Sequence, residues 1–155
     1  MELEKAKDIA REVIKELEPY CQRIQVAGSI RRQKPFPRDI DIVLIPRDRA
    51  ALDQSLMVMG HYKMSGNKIT RVEMDSIPLD IYFATPETFA TLLLIRTGST
   101  ENNIRLCSVA KKKGWHLFAN GDGLFNQAGQ RVAGDSEESI YKALGLPWQR
   151  PEERG

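Results

Sequence analysis

Apolar residues recur every three to four positions near the start of the chain (Leu3, Ala6, Ile9, Ala10, Val13, Ile14, Leu17), and this spacing predicts an amphipathic helix over 3–18 that Pro19 ends. Alternation predicts a strand over 23–27. Gly28-Ser29 breaks it, with Ser29 expected to cap a short helix. Pro35 and Pro37 exclude regular structure up to Arg38. From Asp39 to Ile45 a charged and apolar alternation passes into an unbroken apolar run, which fits a central strand. Residues 49–59 read as a helix. Residues 62–65, 68–74 and 77–83 read as strands, with turns at Gly66-Asn67 and Asp75-Ser76.

The pattern changes after Thr85-Pro86. Helices are predicted over 87–96 and 100–113, separated by Thr97-Gly98-Ser99. Short strands over 115–118 and 123–125 flank Asn120-Gly121-Asp122-Gly123, and 131–133 reads as a third. A helix over 136–144 opens on a capping box in which Ser136 and Ser139 flank two glutamates. The boundary falls at 84–86. The expected class is α+β: a lobe over 1–85 with a mixed sheet flanked by helices, then a small, mostly helical lobe over 86–155 with a short β-hairpin.

Length and composition agree with two small lobes. A chain of 155 residues buries roughly 70% of its unfolded surface, so it needs no disulfide or structural metal to fold. Cys21 and Cys107 are far apart with no CxxC, and His61 and His116 are isolated, so neither a disulfide nor a zinc site is expected. No apolar run approaches the ~20 residues of a membrane span, and the N-terminus has no apolar signal core. The expectation is a cytoplasmic monomer that uses no membrane.

The net charge of +2 conceals local structure. Residues 1–85 carry 14 basic and 13 acidic side chains, and residues 86–155 carry 9 and 8, so neither lobe is strongly basic. Yet Arg23, Arg31, Arg32, Lys34 and Arg38 lie in a stretch without an acid, and Asp39 and Asp41 follow directly. Such a juxtaposition suits polyphosphate on one side and a metal ion on the other; a solvated basic loop is the alternative.

Three features carry candidate chemistry. Gly28-Ser29 stands where a strand gives way to a helix, a place where backbone amides meet phosphate, and Arg31 and Arg32 follow. A plain strand-to-helix turn would read the same way. Asp39 and Asp41 share one face of a strand, where they repel unless a cation lies between them; the alternative is an exposed polar strand end. Asp80 lies inside the apolar run Ile77 to Phe83, where a charge must be ion-paired or metal-bound. A Lys or Arg at the sheet edge would serve as well as a metal. If the two strands are neighbours, three carboxylates meet.

Gly-Ser, an Asp-x-Asp strand eleven positions on from Gly28, and a lone Asp on a later strand resemble the nucleotidyltransferase superfamily. Arg96-Thr97-Gly98-Ser99-Thr100-Glu101-Asn102-Asn103-Ile104-Arg105, then Lys111-Lys112-Lys113-Gly114-Trp115 and the tail from Glu138 to Glu152, resemble the family X DNA polymerases, the polymerase beta family. The resemblance covers essentially the whole chain. It implies a nucleotidyltransferase-fold palm over 1–85 and a nucleotide-binding, thumb-like lobe over 86–155. It also implies Asp39, Asp41 and Asp80 as catalytic ligands of two Mg2+ ions, or Mn2+. By the same resemblance Gly28, Ser29, Arg32 and Arg38 would bind the triphosphate, with Thr97, Gly98 and Asn103 at the sugar and base. Arg105 and Lys111, Lys112 and Lys113 would touch DNA. The implied activity is nucleotide addition to a primer 3′-hydroxyl on gapped or recessed primer-template, from nucleoside triphosphates with release of pyrophosphate, in short-gap DNA repair. The alternatives are a small-substrate or protein-modifying nucleotidyltransferase, and an inactive DNA-binding module.

The departures from the family pattern refine this. Ile95 and Arg96 stand where an aromatic pair commonly precedes Thr-Gly-Ser, so weak discrimination against ribonucleotides is expected. Cys107 stands where relatives often carry an Arg facing the template, which implies weaker template checking. Pro78 stands where an Arg contacting the primer backbone is common. The lyase and helix-hairpin-helix modules usual in the family are not expected in these 155 residues, so the chain is expected to be a natural minimal polymerase or the catalytic core of a longer protein, with weak, salt-sensitive DNA binding.

Overall fold

A computed structural model describes residues 1–155. The chain divides into two compact units, Met1–Ala84 and Thr85–Gly155.

In the first unit, helix α1 (Leu3–Leu17) runs into a single 3-10 turn at Glu18–Tyr20, because Pro19 can begin such a turn but cannot continue an α-helix. Strand β1 (Cys21–Val26), helix α2 (Gly28–Arg31), strand β2 (Ile40–Pro46) and helix α3 (Arg49–Met59) follow, then strands β3 (His61–Ser65), β4 (Ile69–Met74) and β5 (Ile77–Phe83). The five strands form one sheet in the order β1-β2-β5-β4-β3, with β2 and β5 parallel and every other pair antiparallel.

Period-two alternation sorts this sheet into two faces. Ile40, Ile42 and Leu44 of β2, Leu79 and Ile81 of β5 and Val72 of β4 pack with Ala6, Ala10, Val13 and Leu17 of α1 and Leu52 and Leu56 of α3 into one core. The intervening residues, Asp41 of β2, Asp80 of β5 and Arg71 of β4, therefore take the opposite face. The two expected turns are present, and the one between β4 and β5 puts Asp75 (φ 47°) and Ser76 (φ 69°) in the left-handed region. That is the backbone of a tight two-residue hairpin.

One expectation fails here. Ser29 does not cap α2: Ala27 holds the cap position, no side chain caps the helix, and Ser29 is already its second residue. The turn is set by Gly28, whose φ of +62° a residue with a Cβ adopts only at a cost.

In the second unit, α4 (Phe89–Thr97) is buried nearly all round, α5 (Thr100–Lys112) is capped by the Ser99 hydroxyl accepting from the Asn102 amide, and α6 (Glu137–Ala143) opens on the Ser136/Ser139 capping box. Strands β6 (His116–Phe118), β7 (Gly123–Phe125) and β8 (Arg131–Ala133) form a three-stranded antiparallel sheet, so the expected hairpin carries a third strand. Leu94, Leu106, Ala110, Leu117, Leu124, Ile140 and Tyr141 make its core. The chain ends in a tail that Arg154 locks down. This side chain is 1% exposed, its guanidinium bonds Glu137 Oε2 at 2.8 Å and donates twice to the Gln149 carbonyl, and it lies against Trp148. No helix is long and apolar enough to cross a membrane.

Candidate active site

Parallel pairing places Ile40 opposite Leu79 and Asp41 opposite Asp80. Asp41 and Asp80 thus project on one face from adjacent strands. Asp39 precedes β2 by one residue, two before Asp41. One carboxylate oxygen of each of Asp39, Asp41 and Asp80 lies within 4.8 Å of the other two. Asp80 is buried, and Asp39 and Asp41 are half-buried. Three hard oxygen donors this close fit a magnesium- or manganese-type cation and no soft metal.

Gly28 closes one side of the cluster. A Cβ at this position would overlap Asp41 Oδ2, so the backbone approaches the carboxylate as only glycine allows. Arg32 ends α2 as its C-cap, half-buried, with its amide bonded to the Gly28 carbonyl. Arg38 is exposed directly before Asp39. The loop between them is pinned at two points: the Leu3 amide donates to the Pro35 carbonyl, and the Met1 ammonium donates to the Pro37 carbonyl.

Arg71, which was not among the residues expected at the site, contacts the cluster directly. Its Nε donates to Asp80 Oδ1 at 2.6 Å and its Nη2 to Asp80 Oδ2 at 3.3 Å. These hydrogen bonds, the charge of Asp80 and, more weakly, the charge of Asp39 push the Arg71 pKa up. A signal for this contact lay in the turn at Asp75-Ser76. A two-residue hairpin pairs Met74 with Ile77, and counting outward puts Arg71 opposite Asp80, which is the observed register.

The other expected nucleotide and DNA residues lie in the second unit. Thr97 ends α4, Gly98 has φ +74°, and Asn103 lies in the first turns of α5. The Asn103 side-chain amide donates to the Ile95 carbonyl at 2.8 Å, which ties α5 to the residue before the Arg96-Thr97-Gly98 turn. The Ser99 amide and hydroxyl both donate to the Arg154 carbonyl, so the tail braces the same turn. Arg105 is held by the Gln149 side chain at 2.5 Å, and Tyr141 Oη also donates to Gln149. Lys111 and Lys112 end α5, all three lysines are exposed, and the Lys113 ammonium lies over the Trp115 ring. Cys107 is half-buried, and burial raises its thiol pKa.

Comparison with known proteins adds to this geometry. The model for the DNA polymerase beta thumb matches residues 92–155. The DNA polymerase/3′-5′ exonuclease PolX of Bacillus subtilis (strain 168) is 29% identical over 154 residues, covering 94% of this chain. This chain is a relative of the family X DNA polymerases. DNA polymerase lambda of Rattus norvegicus is 35% identical over 85 residues, covering 49% of this chain. The ternary gap complex of Leishmania infantum polymerase beta superimposes with a TM-score of 0.84 over 99% of this chain and 70% of that one, at 19% identity, and so shares the fold. The chain spans 27% of the length of the Bacillus protein and 15% of the rat polymerase. Within this family X relationship, the carboxylate cluster lies wholly in the first unit, and the thumb model falls wholly in the second.

Proposed function

We propose that the chain is a DNA polymerase of family X type, adding nucleotides to a primer 3′-hydroxyl. The observation that carries the reading is the convergence of Asp39, Asp41 and Asp80 against the backbone of Gly28. In this reading residues 1–85 are the catalytic palm and 86–155 the nucleotide-binding lobe. Asp39, Asp41 and Asp80 would hold the divalent cations. Bound Mg2+ or Mn2+ supplies charge neutralisation for the triphosphate and acidifies the attacking hydroxyl. The chain's own residues position and neutralise: Gly28, Ser29, Arg32 and Arg38 receive the triphosphate, where guanidinium forks match phosphate oxygens. Thr97, Gly98 and Asn103 receive sugar and base, while Arg105 and the three lysines meet the DNA backbone. The primer 3′-hydroxyl gives up its proton with help from Asp80, its oxygen attacks the α-phosphorus in line, a phosphodiester forms, and pyrophosphate leaves with the electron pair of the broken bond. A cytoplasmic monomer filling short gaps in DNA repair is the setting we assign.

Extension of labelled primers on gapped, recessed and single-stranded DNA, with Asp80→Ala as control, tests the reading. Extension by the wild-type chain that the variant loses supports it. Nucleotidyl transfer to a small acceptor or a protein without need of primer would favour the alternative enzyme class, and DNA binding without any transfer would favour an inactive module. With Ile95 and Arg96 before Thr97-Gly98, ribonucleotides are expected to enter appreciably. A single-turnover preference for deoxynucleotides above roughly a thousandfold, about 4 kcal/mol, would refute that part.

A further inference from the structure

Arg71 stands on β4 directly opposite Asp80 of β5, and its guanidinium bonds that carboxylate. We propose that Arg71 is a positioning residue that stands in for a cation at Asp80, holding this carboxylate in place and offsetting its charge until a divalent ion competes for it. The inference rests on the metal role proposed above for the three aspartates.

The register makes the contact inevitable. Arg71, Asp80 and Asp41 occupy consecutive rungs across β4, β5 and β2, so all three side chains leave the same face. The guanidinium spans both oxygens of Asp80, which fixes the plane of the carboxylate as a single donor could not. Strand β5 offers no cation of its own at the neighbouring same-face positions, which are Pro78 and Tyr82. The side chains also differ in exposure: that of Asp80 is 8% exposed, whereas that of Arg71 is 43% exposed. Arg71 therefore reaches in from solvent and can swing away without moving the sheet, while Asp80 cannot move to meet another partner. An arginine keeps its proton at any working pH, so it leaves Asp80 only by competition with another cation.

Two effects of opposite sign follow, and a purely structural residue would not produce them. Removing the positive charge favours the divalent ion, while removing the fork loosens the carboxylate that the ion needs in place. The test is Mn2+ binding by the full chain without nucleotide, read by electron paramagnetic resonance, beside single-turnover primer extension. Arg71→Gln is expected to bind Mn2+ about tenfold more tightly than wild type, from the loss of one positive charge near the ion, and to extend primers more slowly. Arg71→Lys keeps the charge but not the fork. It is expected to bind Mn2+ like wild type and to extend slowly. Equal or weaker Mn2+ binding by Arg71→Gln, while Asp80→Ala shows that wild-type binding depends on the cluster, overturns the role of Arg71 alone. No Mn2+ binding by wild type or any variant overturns it together with the metal reading.

Discussion

Replacing Arg154 by Leu should reveal how the second unit holds the turn at Thr97-Gly98-Ser99. The guanidinium is fully buried against Glu137, itself only 7% exposed, and the residue's carbonyl receives both Ser99 donors. Removing one member of a buried pair leaves an uncompensated carboxylate, a cost of about 3–5 kcal/mol. In a unit of this size each kcal/mol moves the melting point by roughly 4–8 °C. Removing both members, in Arg154→Leu with Glu137→Leu, deletes the stranded charge. What then remains is the Gln149 carbonyl without its two donors, a loss of about 1–2 kcal/mol. Adding Glu137→Leu to Arg154→Leu should therefore restore about 2–3 kcal/mol. Both tryptophans, Trp115 and Trp148, lie in the second unit, so urea unfolding followed by their fluorescence reads that unit directly. If the double variant is as unstable as Arg154→Leu alone, stranded charge is not the cause and the reasoning fails.

Two further outcomes are expected. Gly28→Ala should destabilise the fold by more than Gly129→Ala, whose φ is also positive (+79°) but whose Cβ would meet open space, and it alone should slow primer extension, because its Cβ displaces Asp41. Wild-type extension by Gly28→Ala would show that this approach does not shape the carboxylate. Burial raises the Cys21 thiol from its ordinary 9.0 to about 11, so the folded chain keeps a proton that the unfolded chain loses. Stability should be unaffected at neutral pH and fall by about 2 kcal/mol between pH ~9 and ~11. Urea unfolding of Cys21→Ala should lack that component, and an identical alkaline slope in the variant would refute the assignment.

Much of the first unit was legible because its signals are local. Residues 77–83 read as a strand to the residue, since an apolar run bounded by Asp75-Ser76 and Thr85-Pro86 permits little else. The faces also followed from alternation, which is why Asp41 and Asp80 could be paired once their strands were assumed to be neighbours. That neighbourhood was not legible: β2 and β5 are parallel and separated by α3, β3 and β4, and no turn encodes their register. The Arg71 contact was legible in principle through the hairpin count, yet a charged residue on an edge-side strand reads as solvated until its partner is known. Arg154 was illegible for a similar reason. Nothing in the Arg150-Pro151-Glu152 stretch marks Arg154, two residues on, as fully buried. Ser29 failed because a cap preference is weak beside a glycine that already dictates the backbone at the helix start.

The central claim is that Asp39, Asp41 and Asp80 form a nucleotidyl-transfer centre. Single-turnover filling of a one-nucleotide gap in Mg2+, by wild type and by Asp41→Asn, tests it most directly. Wild type should release one pyrophosphate per nucleotide added, and the variant should react about a thousandfold more slowly, ~4 kcal/mol. An Asp41→Asn chain that fills the gap within a few-fold of wild type would contradict it.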